Sequence, residues 1–66
     1  MLESNIDLRN HAMNMAYSYA SAGNQVWMQI FIDRAGQFWP VHEMQLSHAQ
    51  ELLDKAKKEG KERKSK

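Results

Sequence analysis

The chain has no cysteine and no threonine, a single proline (Pro40), and only three glycines, Gly23, Gly36 and Gly60, in 66 residues. Without cysteine there are no disulfides, no thiolate zinc site, no redox pair and no cysteine nucleophile. The glycines stand singly, which excludes a glycine-rich phosphate loop. No apolar run approaches the ~20 residues of a membrane span, and the N-terminus lacks the basic-then-apolar pattern of a signal peptide. The expectation is a cytoplasmic protein with no membrane partner. Hydrophobic residues make up 42% and charged residues 26%, the composition of a folded domain. A chain this short buries little apolar surface and usually needs a disulfide, a metal or a partner chain; with disulfides excluded, oligomerisation becomes the leading expectation.

The formal net charge of +1 conceals an uneven distribution. Residues 1–54 carry Arg9 and Arg34 against Glu3, Asp7, Asp33, Glu43, Glu51 and Asp54, a net of −4. Residues 55–66 carry Lys55, Lys57, Lys58, Lys61, Arg63, Lys64 and Lys66 against Glu59 and Glu62, a net of +5. The pattern predicts one domain over residues 1–58 and a disordered basic tail over 59–66. Such a tail serves either as a solvated, solubilising helix end or as an arm for an anionic partner.

Ser4 and Asp7 have the spacing of a helix start, and Gly23-Asn24 that of a stop, so a first helix is predicted from Asn5 to Ala22. Its apolar positions, with Tyr17 and Tyr19 among them, cover more than half the circumference, interrupted only by Arg9. That is wider than the ~100° stripe one core requires. Gln25 to Asp33 alternates Val26, Met28, Ile30 and Ile32 with Trp27, Gln29, Phe31 and Asp33, the pattern of a strand. Asp33-Arg34-Ala35-Gly36 reads as a tight turn and Gln37 to Met44 as a returning strand, with Pro40 at its outer edge. Ser47 and Gln50 have capping-box spacing for a last helix whose stripe is Ala49, Leu52, Leu53 and Ala56. The expected fold class is therefore α+β: a helix, a β-hairpin and a helix (αββα) followed by the tail.

A hairpin with apolar residues on both faces cannot stand alone in water. Leaving Trp27, Phe31 and Trp39 exposed would forgo several kcal/mol, at about 1.5–3 kcal/mol for each buried side chain of this kind. The expectation is a homodimer through the hairpin sheet, first strand against first strand. The same aromatics, with Tyr17 and Tyr19, are the alternative surface for another protein, since such residues dominate interface cores.

Catalytic and metal chemistry find little support. His42 and His48 are six apart rather than the four that lets two histidines on one helix share zinc, although a site from His42, Glu43, His48 and His11 is conceivable. Ser4 and Ser47 read as caps, Ser18 and Ser21 lie on the polar helix face, and Ser65 is in the tail, so no hydrolytic triad assembles. No enzyme, no cofactor and no metal are expected. Nucleic acid is the alternative partner: Lys55, Lys57, Lys58, Lys61, Arg63, Lys64 and Lys66 would neutralise phosphates with steep salt dependence. Against it, Arg34 is the only cation near the hairpin aromatics, whereas a nucleic-acid-binding sheet interleaves the two.

The order helix–hairpin–helix with a basic C-terminal tail resembles the architecture of the small head–tail joining proteins of lambda-like bacteriophages. The resemblance covers most of the chain and rests on element order. It implies a non-catalytic accessory protein from a prokaryotic or viral genome. Many small phage and plasmid accessory proteins, host-modulating inhibitors among them, share this size, absence of cysteine and compactness, so the expected function is a regulator or inhibitor acting through protein–protein contact in the cytoplasm, of the host if viral, or a small phage structural joining protein.

Overall fold

A computed structural model describes residues 4–60. Three helices follow one another: α1 (Asn5–Ser21), α2 (Gln25–Phe38) and α3 (Glu43–Lys58). There is no strand among the described residues. The domain is all-helical, and the αββα expectation is corrected, together with the sheet-mediated dimer built on it and the element order behind the phage-protein resemblance.

α1 begins where its sequence signals say. The Ser4 hydroxyl accepts from the Asp7 amide at 3.1 Å, satisfying one of the amides that the first turn leaves open. Its end is a two-bond Schellman closure: Gly23 N–H donates to Ala20 O at 3.0 Å and Asn24 N–H to Tyr19 O at 2.9 Å. That closure needs a residue in the left-handed region, and Gly23 sits at φ 76°, where a side chain would be strained. Asn24 then does a second job. Its Oδ1 accepts from the Trp27 amide at 3.2 Å, capping α2 one residue after terminating α1. Gly23-Asn24 is thus the tight connection of a helical hairpin.

α2 replaces the first predicted strand, the predicted turn and the start of the second strand. At helical spacing Met28, Ile32 and Ala35 fall on one face, and all three are buried. The helix runs through Gly36 without a turn, since that glycine has no positive φ. What stops it is Pro40, whose ring disfavours helical backbone at the preceding residue; Trp39 is extended at φ −165° and ψ 146°. Pro40 therefore marks a helix end, not a sheet edge. α3 starts earlier than Ser47: the Gln45 side chain accepts from the His42 amide at 3.0 Å, so the capping position is His42 and Ser47 lies inside the helix. The helix ends at Lys58, with Gly60 at φ 81° just beyond it.

The interior is unusually small in its parts. Among the described residues the buried apolar side chains are Ala12, Met13, Ala16, Ala20, Met28, Ile32, Ala35, Ala49, Leu53 and Ala56, so six of these ten are alanine. Ala12, Ala16 and Ala20 form a stripe along α1. Methyl groups there let neighbouring backbones approach closely, since interhelical distance depends on the side chains at the contact. α3 rests mainly on α1 and only lightly on α2.

Arg9, the interruption in the apolar arc of α1, is buried with 6% of its surface exposed. Its Nη1 donates to the Pro40 carbonyl at 2.5 Å and its Nε to Asn10 Oδ1 at 2.8 Å. Asn10 Oδ1 also accepts from Gln45 Nε2 at 3.2 Å. One guanidinium thus ties α1 to the α2–α3 connection, beside a side-chain bond from α1 to the first turn of α3.

Candidate functional site

None of the six aromatic side chains, Tyr17, Tyr19, Trp27, Phe31, Phe38 and Trp39, is fully buried. Those that gather do so on one side. Tyr19 of α1 stacks on Phe31 with centroids 5.5 Å apart and on Trp27 at 5.9 Å, and Trp27 and Phe31 lie 6.4 Å apart. The grouping follows from the sequence: Trp27 and Phe31 are one helical turn apart, and the short Gly23-Asn24 connection folds Tyr19 back onto them. Arg34, three residues further on, lays its guanidinium 5.9 Å from the Phe31 centroid, within cation–π range.

The outward face of α2 extends this cluster. Val26 is 68% exposed, Trp27 48% and Ile30 38%, and at about 100° per residue the three share a sector with Arg34 and Gln37. Beyond Ile30 the surface falls away into a shallow open groove of about 330 Å³ lined by Ile30, Asp33, Arg34, Gln37 and Phe38. The face therefore has an apolar end, Val26 and Trp27, and a polar end carrying its only charges, Asp33 and Arg34, with residues of both ends exposed.

The sequence-nominated residues divide accordingly. Trp27, Phe31 and Tyr19 are brought together. Tyr17 points elsewhere: it meets the His48 ring of α3 edge-on at 4.7 Å, on the side where α3 packs. Burial raises its phenol above the usual 10.0, while the Arg9 charge and hydrogen bonding to Gln45 act in the opposite direction. Trp39 is exposed at the end of α2. Lys55, Lys57 and Lys58 line the exposed last turn of α3. Lys61, Arg63, Lys64 and Lys66 lie outside the described residues. His42 sits at a helix cap, and no group of three metal-ligating side chains forms among the described residues. Val26, Ile30 and Arg34 were not among the nominated residues. Their signal was the i, i+4, i+8 spacing within 26–34, which the strand reading concealed.

No protein-family model, curated protein or solved structure matches this chain. No helix among the described residues is long and apolar enough to cross a membrane.

Proposed function

We propose that this chain is a small non-enzymatic accessory protein that acts by docking another protein surface on the outward face of α2. The observation that carries the reading is the placement of side-chain size: alanines are frequent among the buried residues, while Trp27 stands about half exposed on top of Tyr19 and Phe31, which are only partly buried against the edge of the core. Aromatic residues bury about 150–250 Å² each and dominate interface energetics, so they gain most from a partner that covers them. The Arg34–Phe31 stack fits the same use, because arginine joins the aromatics among the residues enriched in contact centres.

Photo-crosslinking tests it. A benzophenone amino acid placed at Val26, and as control at exposed Gln50 of α3, is irradiated in the cell of origin. The expected result is a discrete protein adduct from position 26, absent from position 50 and lost when Trp27→Ala is added to a chain that still folds. Equal adducts from both positions, or none, would refute the docking face.

Lys55, Lys57 and Lys58, exposed at the end of α3, favour a second reading as a nucleic-acid-binding regulator. Ala56 is 2% exposed in the same turn, so truncation after Asp54 would damage the core; replacing the three lysines with glutamine tests the charge alone. Binding of DNA or RNA that weakens with salt and disappears in the triple variant would promote this reading over the first.

A further inference from the structure

We propose that the α2 face is occupied by a second copy of this chain, packed antiparallel about a twofold axis at Ile30. This rests on the docking-face reading and adds the identity of the partner and the register of the contact.

The face is complementary to itself in only one direction. Positions 26 and 34 are equidistant from position 30. An antiparallel pair therefore sets the exposed apolar end of each copy, Val26 and Trp27, against the polar end of the other, Asp33, Arg34 and Gln37. A parallel pair would set apolar end on apolar end and charged end on charged end.

Charge selects the same direction. The first half of α2, residues 25–32, has no charged residue, and Asp33 and Arg34 are adjacent in the second half. Parallel packing brings Arg34 against Arg34 and Asp33 against Asp33. Antiparallel packing brings each Arg34 to the second copy's Trp27. The guanidinium already lies over Phe31 at 5.9 Å, so the second copy's indole would close on its other side and complete a cation–π sandwich. Ile30 meets Ile30 at the axis. Because the same patch serves both copies, the contact closes at two.

α2 has 14 residues and is about 21 Å long. A contact centred on one such helix falls short of the roughly 800 Å² per partner of a standard stable complex. The dimer is therefore concentration-dependent, with a dissociation constant on the order of micromolar.

The absence of cysteine makes the register directly testable, since a single introduced thiol has no competitor. Ile30→Cys, Val26→Cys and Gln37→Cys are oxidised mildly at equal concentration, after circular dichroism shows each to be as helical as the natural chain. Across the twofold axis the two copies of position 30 face each other, those of position 26 are offset by about 12 Å along the helix and those of position 37 by about 21 Å. A disulfide needs Cα atoms within roughly 7 Å. The expected result is disulfide-linked dimer from Ile30→Cys at least tenfold faster than from the other two. Alongside, the unmodified chain should sediment as a monomer when dilute and as a dimer at the top of a series from about 1 to about 500 µM.

Equal cross-linking at all three positions would overturn the antiparallel register. A monomer throughout the series would overturn the second copy as the occupant. If position 26 then still photo-crosslinks to a different protein, the docking face stands without self-association; if it crosslinks to nothing, both readings fall.

Discussion

Along the centre of the α1–α2 contact the buried groups are mostly methyls, and at its margin they give way to a phenyl and a phenol, partly buried, under a half-exposed indole. The contrast separates two uses of apolar residues. Ala12, Ala16, Ala20 and Ala35 are buried and set a short distance between helices. Trp27, Phe31 and Tyr19 lie beside that close approach and stack on one another, with Tyr19 and Phe31 also packed against the edge of the core. A chain of 66 residues has room for one of these arrangements inside, and here the smaller groups took it.

Four tests break or sharpen the contrast. The largest effect is expected at Leu53, the biggest fully buried aliphatic side chain of α3. Leu53→Ala should cost about 2–5 kcal/mol, enough to unfold much of a domain whose total stability is on the order of 5 kcal/mol. Trp27→Ala, although it removes more atoms, should cost nearer 1 kcal/mol, because its ring is already half in water and loses chiefly the stack. Urea unfolding of the two side by side measures the difference, and a costlier Trp27 would mean that the outer cluster is core.

The second concerns size rather than loss. Ala16 is fully buried in the α1 stripe, and Ala16→Leu must push a helix away, at about 1–3 kcal/mol despite the added hydrophobicity. A stabilised variant would show that the alanine interior is under-filled. The third works in the opposite direction. Gly36 lies within α2, and a Cβ built there meets nothing nearer than Val41 Cγ2 at 4.0 Å. Gly36→Ala should therefore raise stability by about 0.5–1 kcal/mol in thermal unfolding, whereas a glycine needed for a turn would make the same change harmful.

The smallest effect is electrostatic. With the Tyr17 phenol raised by burial above 10.0, the folded state holds its proton longer than the unfolded chain. The folded state then binds more protons, and stability is complete below pH 10 and declines as pH rises through the folded value. Tyr17→Phe should flatten that alkaline decline, followed by circular dichroism from about pH 8 to pH 12. An unchanged profile would place the decline elsewhere.

The limits of sequence reading are visible at particular residues. Ser4, Asp7 and Gly23 specify α1 through local bonds that each residue type makes by itself, and they were legible. So was the α3 stripe of Ala49, Leu53 and Ala56, whose spacing fits only a helix. Residues 26–32 were not. Every position there except Gln29 is apolar, so alternation and helical spacing are both satisfied, and the β-branched Val26, Ile30 and Ile32 tip local preference toward a strand. Asn24 was read as the end of one helix when it is also the start of the next. The aromatic residues of the candidate site were legible as a set. Their division was not: Tyr17 toward α3 and Tyr19 toward α2 follows from which neighbour each meets.

By itself, then, the sequence determined the absence of cross-links, the bounds of the first helix, the stripe of the third and the segregation of basic charge after Asp54. Only the tertiary structure decided that residues 25–38 are a helix. As one, this segment lays Met28, Ile32 and Ala35 along the interior and satisfies its backbone within itself. As a hairpin it would have presented apolar residues on both faces with two helices to cover them. The same choice put Val26, Trp27 and Ile30 on the exposed side of a helix where the faces of a sheet were expected.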